Sequence, residues 1–292
     1  MHFTGTVYRN PYWPTYPLIE ITQGCSHDKC KFCSMYKGLG FRMTPLETAE
    51  EDLKELAETV PHAKTIQLLS ANPLVMSYEN LVPRLELINK YLPDLEYAYT
   101  ATRVSDLKNK SVDQLKHLRD LGLKEISLGV ESGDDWTLDR VNKGYHAEDI
   151  LRECRKLEDA GIEYWVSFLN GIAGRSHWKD HALHSAEVFN QLHPKVVGTG
   201  GLTLFPDTDL YAEANNGTFD PLDEKGLMEE LLLFIETLDR DCRFITHHTS
   251  SVDLNTKDFL RDKKRITKTL RNEIDHGDID FMTRARSMKR GL

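Results

Sequence analysis

The sequence predicts an α/β protein, a partial (β/α)6 TIM-like barrel with a small C-terminal α/β cap, and three observations carry that expectation. Short apolar runs alternate with amphipathic stretches, glycines mark many of the connections, and polar, glycine-rich residues gather where the apolar runs end. The 292-residue length suits a barrel of about 250 residues with an addition.

The elements follow in order. Residues 16–22 read as a short buried strand ending at Gly24. Thr44, Pro45 and Glu47 read as a helix start, with Thr44 capping, Pro45 in the first turn and Glu47 closing a capping box; Leu53, Leu56 and Val60 carry the apolar stripe. Strands follow at 65–70, 96–103, 125–131, 163–169 and 196–205, with helices near 81–91 and at 112–121, 147–160 and 179–192. Gly122 and Gly161 stop two of those helices. The tail adds a helix at 222–238, a strand at 243–246 and a long helix from about Asn255. The expected division is a barrel with an N-terminal extension over 1–205 and a cap over 206–292. Right-handed crossovers would bring one set of strand ends to a common mouth, where such barrels keep their reacting groups. Those ends are residues 24–33, 70–72, 100–103, 129–133, 167–174 and 199–201.

A net charge of −9 disfavours a protein whose main task is to grip nucleic-acid phosphates. Residues 257–290 hold eleven Lys/Arg against six Asp/Glu, which reads as a solvated terminal helix with a basic tail. Apolar runs fall short of the ~20 residues that cross a bilayer, and no signal peptide is visible, so cytoplasmic residence is expected.

Three of the five cysteines, Cys25, Cys30 and Cys33, fall within nine residues; Cys154 and Cys242 stand apart as packing residues. Three thiolates on one loop at a strand end can hold three corners of a metal site and leave the fourth open for chemistry. Together with His27 they could also make a structural zinc site, although such sites usually have two cysteine hooks and no second hook is present.

The run GCSHDKCKFC, Cys-x4-Cys-x2-Cys, resembles the signature of the radical S-adenosylmethionine (radical SAM) superfamily, with one residue more than the usual x3 in the first gap. The likeness extends through SLGVESGDDWTLDRVNKG, AGIEYWVSFLNGIAG and HWKDHALHSAEVFNQLHP, covering about residues 8–249. The branch is elongator-like and coproporphyrinogen-dehydrogenase-like, without an auxiliary cluster. The resemblance implies a [4Fe–4S] cluster on Cys25, Cys30 and Cys33, S-adenosylmethionine (SAM) on its open iron, and an electron from a flavodoxin- or ferredoxin-type donor. It implies that Phe32 shields the cluster and packs on adenine, and that the backbone at Asn72 contacts the methionine amino group. Asn72 replaces the acidic residue usual there, so only that backbone role carries over. It also implies polar SAM contacts from Arg103 and Glu131, a carboxylate contact from Lys143, a ribose contact from Ser167, and an adenine flank of residues 171–174 centred on Ile172.

Appended cobalamin, RNA-binding, acetyltransferase and second-cluster domains are not expected, which leaves a small-molecule substrate. Tyr36, Asn170 and His247 are the expected catalytic contacts; Arg42, Arg175, Thr203 and His248 are further polar residues within reach, and Tyr8, Tyr12 and Trp13 read as packing. Among compact members the chain is similar in size and outline to queuine lyase, which implies a lyase acting on a modified nucleobase under anaerobic conditions. Porphyrin oxidation, epimerisation, decarboxylation and a non-catalytic zinc- or SAM-binding regulator stay open.

Overall fold

The computed structural model describes residues 1–10, 12, 15–246 and 252–288. Along the chain these form β1 (Leu18–Glu20), β2 (Thr22–Gln23), β3 (Arg42–Met43), α1 (Leu46–Thr59), β4 (Thr65–Leu69), α2 (Tyr78–Tyr91), β5 (Tyr97–Thr102), α3 (Val112–Asp120) and β6 (Leu123–Glu131). There follow α4 (Asp135–Arg140), α5 (Ala147–Ala160), β7 (Glu163–Asn170), α6 (Trp178–Phe189), β8 (Val196–Gly201) and α7 (Asp209–Asn215). The last elements are α8 (Glu224–Thr237), β9 (Arg243–Thr246), α9 (Phe259–His276) and α10 (Ile279–Ser287). Seven strands make one sheet in the order β1-β4-β5-β6-β7-β8-β9. The α/β class with a parallel sheet is therefore the one expected, and β9, expected within a cap, pairs in parallel with β8.

Two compact units divide the chain. The first comprises Met1–Asp28, Tyr36–Gly129 and Arg152–Tyr164. In it β1, β4, β5 and β6 pair in parallel, with Glu20 opposite Leu69, Leu18 opposite Gln67, and Gln67 opposite Tyr99. Parallel strands covered on both faces read as continuous apolar runs, and Ile19, Ile66, Leu68 and Ala98 are all buried. Alternation puts Glu20, Gln67 and Tyr99 on the other face, where the opening segment lies against them: Thr4 on Glu20, Asn10 on Gln67 and Tyr99.

Helix α1 departs from the expected start. Pro45 is the N-cap and no side chain caps it, so the expected capping box does not form; Thr44 is buried, and its carbonyl accepts a hydrogen bond from the Arg84 guanidinium at 2.6 Å. Helix α2 begins at Tyr78, earlier than expected, with Ser77 at the cap and Pro83 inside the helix, where it has no N–H to donate. The capping box absent from α1 occurs instead at α3, between Ser111 and Gln114.

The second unit comprises Lys29–Met35, Val130–Leu151 and Trp165–Leu292. Here β7, β8 and β9 pair in parallel, Asn170 opposite Gly201 and Val196 opposite Arg243. The core stacks Phe168 on Phe234, with ring centroids 4.0 Å apart, and Phe189 meets Phe234 edge-on. The expected single C-terminal helix is two, α9 ending at Gly277 and α10 restarting under the Asp278 side-chain cap. No helix among the described residues is long and apolar enough to cross a membrane.

Candidate functional site

The cysteine loop is closed at its neck by chemistry local to the chain. Strands β2 and β3 pair as a two-residue antiparallel ribbon, Thr22 with Met43 and Gln23 with Arg42. Inside the neck the Asp28 carboxylate accepts the Gly38 N–H at 3.1 Å. The two neighbours of Cys25 are both tied to the end of β4. The Gly24 carbonyl accepts from Ser70 Oγ at 2.8 Å, and Asn72 holds Ser26 twice: its Oδ1 accepts the Ser26 N–H at 3.1 Å and its Nδ2 donates to Ser26 Oγ at 2.7 Å.

The other two cysteines lie on a segment anchored separately. Between Cys30 and Cys33, the Lys31 N–H donates to the Val141 carbonyl at 3.1 Å and the Lys31 carbonyl accepts from Leu210 N–H at 2.8 Å. The Lys31 ammonium pairs with Glu213, which also takes Arg140 at 2.5 Å. Burial alone would push the Glu213 carboxyl up, but these two cations hold it below the usual range. Phe32 packs on the buried cluster of Leu202, Leu210 and Phe219. The three cysteines are half-buried thiols, and the Cys33 N–H closes a turn onto the Cys30 carbonyl at 3.2 Å. Among the described residues no three His, Cys, Asp or Glu side chains converge as one metal ion requires. A cubane takes its thiolates on separate irons, so a three-thiolate donor set on an anchored loop fits a [4Fe–4S] cluster.

In the first unit, the Asn72 side chain is wholly occupied within the protein: besides Ser26, its Nδ2 donates to Asp106 Oδ2 at 3.1 Å. The same oxygen accepts from Thr102 Oγ1 at 2.8 Å and from the Arg103 N–H at 2.9 Å. Asp106 thus links the ends of β4 and β5, a residue the sequence reading passed over. Below it the buried Lys110 ammonium bonds the Leu74, Met76 and Asp106 carbonyls. Desolvation pushes Lys110 down to about 8. Below about pH 8 the lysine is charged in both folded and unfolded chains; above it the folded chain gives up a proton that the unfolded chain keeps to its ordinary value near 10.5. This group therefore raises stability with rising pH between those values. Urea unfolding at about pH 7.5 and about pH 9.5 checks it: Lys110→Met loses that part of the rise.

The second unit places Glu131, Lys143 and Ser167 together. Glu131 ends β6 with φ of 67°, a left-handed conformation that costs a side-chain-bearing residue about 1–2 kcal/mol and persists only where neighbours enforce it. Ser167 Oγ donates to Glu131 Oε2 at 3.0 Å and accepts the Glu131 N–H at 3.3 Å, and Lys143 Nζ lies 3.7 Å from Oε1. The Lys143 ammonium also lies 5.7 Å from the Phe32 ring centroid and 5.4 Å from that of Tyr145, within cation–π range. Lys143 is 3% exposed, so Lys143→Met should cost about 1–3 kcal/mol by removing the buried cation beside a partly exposed carboxylate, and adding Glu131→Gln should recover part of that loss in denaturant titrations.

Ile172 is fully buried in the turn after β7. Asn170, 3% exposed, has a buried side-chain oxygen that finds no partner among the described residues. Tyr36 meets Tyr8 edge-on at 5.1 Å between centroids. His247, with His248 and Trp13, lies outside the described residues. A buried His181–Glu230 pair at 2.8 Å also escaped the sequence reading; Glu230 accepts the Gly171 N–H, and only the burial of α6 and α8 against each other reveals the pair.

An anchored cysteine loop, a parallel sheet and polar strand ends define a protein that holds a cofactor at the C-terminal ends of its strands. The chain matches the Radical SAM superfamily over residues 19–186, more than half its length, and belongs to that superfamily, whose members use a [4Fe–4S] cluster and SAM. It is 23% identical over 221 residues to the heme chaperone HemW of Bacillus subtilis, covering 72% of this chain and 56% of that protein. Among solved structures it resembles the radical SAM methyltransferase TsrM from Kitasatospora setae, solved with cobalamin and a [4Fe–4S] cluster bound (TM-score 0.57, 18% identity, 69% of this chain and 39% of that one). It also resembles coproporphyrinogen III oxidase HemN from Escherichia coli (TM-score 0.55, 15% identity, 77% and 54%). The chain thus spans about half the length of these relatives. The α/β partial-barrel class expected from the sequence is the class of these solved neighbours.

Proposed function

We propose that this chain is a radical SAM enzyme acting on a small, planar substrate, with Cys25, Cys30 and Cys33 holding the cluster. The observation that carries the reading is the double anchoring of the cysteine loop: Ser70 and Asn72 bracket Cys25, and the backbone of Lys31 is bonded on both sides between Cys30 and Cys33. When bound, the cluster and SAM supply a 5′-deoxyadenosyl radical that abstracts hydrogen from substrate.

The chain's own residues orient and shield. Lys143, held over Phe32 and beside Glu131, offers a buried cation to the methionine carboxylate, and Glu131 and Ser167 offer polar contacts to amine and ribose. Arg103 stands at the end of β5, and Ile172 gives an apolar flank for adenine. Asn72 contributes its backbone, since its side chain holds the loop. Tyr36, Asn170 and His247 contact substrate, Asn170 by the acceptor it has to spare. The electron comes from a flavodoxin- or ferredoxin-type donor. A lyase step on a modified nucleobase such as queuine is the substrate assignment within this reading.

Anaerobic reconstitution with iron and sulfide tests it. A brown protein that forms 5′-deoxyadenosine from SAM and reductant is the expected result. A colourless protein that retains zinc and leaves SAM intact overturns it.

A further inference from the structure

A polar patch on one face of the sheet in the first unit includes a buried carboxylate that the cofactor reading does not use. In a parallel sheet both faces are usually apolar, and the run Leu18-Ile19-Glu20-Ile21 would be an ordinary buried strand but for its carboxylate. Glu20 is 8% exposed, on the same face as Gln67 and Tyr99. Burying a carboxylate is unfavourable unless donors meet it. The donors here are two neighbouring groups of one residue. Thr4 gives its backbone N–H to Oε2 at 3.2 Å and its hydroxyl to Oε1 at 2.6 Å, one donor to each oxygen.

The residue that supplies them lies on an exposed stretch of chain. Residues 2–7 are exposed, and side-chain contacts hold the opening segment along its length: His2 on Asp52 at 2.8 Å, Thr4 on Glu20, Asn10 on Gln67 and Tyr99. Beneath the segment is a narrow cleft whose fixed side is Glu20, Gln23, Gly24, Tyr36 and Ser70. Gly24 and Ser70 are also the residues that brace Cys25, so the cleft opens at the base of the cluster loop.

We propose that Glu20 is a substrate-recognition residue, and that Thr4 keeps its place with a matching donor pair until a ligand presenting two adjacent N–H donors displaces the opening segment. The chemical class is an amidine-like edge, as in a 2-aminopyrimidinone ring, where a ring N–H and an exocyclic amine reach both carboxylate oxygens. Such a charge-assisted, two-point contact fixes orientation as well as affinity. The role as substrate recognition rests on the radical SAM reading above; the binding chemistry does not.

The probe is isocytosine, which carries the donor pair, against its isomer cytosine, which presents a donor beside an acceptor. Calorimetry on the full chain should show isocytosine favoured by at least about tenfold, the value of one matched hydrogen bond. Hydrogen–deuterium exchange over residues 1–10 should accelerate when it binds. Thr4→Val, which removes one competing donor from an exposed segment, should tighten binding by roughly threefold or more, and Glu20→Gln should weaken it by at least about tenfold. Equal binding of the two isomers, no binding of either, unchanged exchange over 1–10, or a Thr4→Val variant that binds no tighter overturns the assignment. Formation of 5′-deoxyadenosine by the wild-type chain is measured separately. Isocytosine bound at Glu20 in a chain that never cleaves SAM overturns the enzyme reading alone, and SAM cleavage without isocytosine preference overturns this one alone.

Discussion

Serine in place of Cys25, Cys30 or Cys33, one at a time, is expected to remove the cluster and lower 5′-deoxyadenosine formation by at least about a thousandfold. Iron is held by thiolate, and a serine hydroxyl stays protonated at neutral pH. Neither of the other two cysteines is a reserve ligand. Cys154 lies inside α5 and Cys242 is 7% exposed, and burial pushes both thiols up, Cys242 to about 12. Neither forms a thiolate near neutrality. Iron and sulfide analysis after reconstitution checks the expectation, with Cys154→Ala as the control that keeps its cluster. A serine variant that retains full iron and activity would mean that another group holds that corner.

How much of this was legible in the sequence depends on the range over which each residue acts. The six main strands were legible because parallel strands leave continuous apolar runs, and α3 and α5 because Gly122 and Gly161 mark their ends. The cysteine loop was legible as a candidate because three thiols within nine residues are a local pattern. The caps were less so: Thr44 offers its carbonyl to Arg84, a partner forty residues on, instead of its hydroxyl to the helix. The β2–β3 ribbon is two residues per strand, too short to leave a periodicity. Asp106 and Lys110 carry no local pattern that singles them out, and their burial depends on partners distant in sequence, Asn72 for Asp106 and the Leu74 and Met76 carbonyls for Lys110. Glu20 left one visible signal, a charge inside an otherwise apolar run. For Asn72 the sequence left the side chain unassigned; its amide braces Ser26, beside the first cysteine.

The second large effect is expected from the smallest side chain in the loop. Gly24 has φ of +71°, and a β-carbon added there would lie 2.4 Å from the Leu39 carbonyl oxygen and 2.7 Å from that of Gly40. Both neighbours are backbone atoms on the returning side of the loop, so no rotamer change relieves the contact. Gly24→Ala therefore adds a clash to the left-handed strain and should cost about 2–4 kcal/mol, with the neck between β2 and β3 as the part that gives way. Opening the neck also breaks the Ser70 contact to the Gly24 carbonyl, so Cys25 moves and iron content after reconstitution falls with stability. Gly38 separates the two causes. Its φ is +76°, nearly the same, but nothing lies within 4 Å of an added β-carbon. Gly38→Ala should cost only the backbone strain, about 1 kcal/mol, and keep its iron. Paired urea titrations and iron analysis decide: equal losses from the two variants would assign the effect to backbone conformation, and a loss confined to Gly24→Ala assigns it to the close approach that closes the cysteine loop.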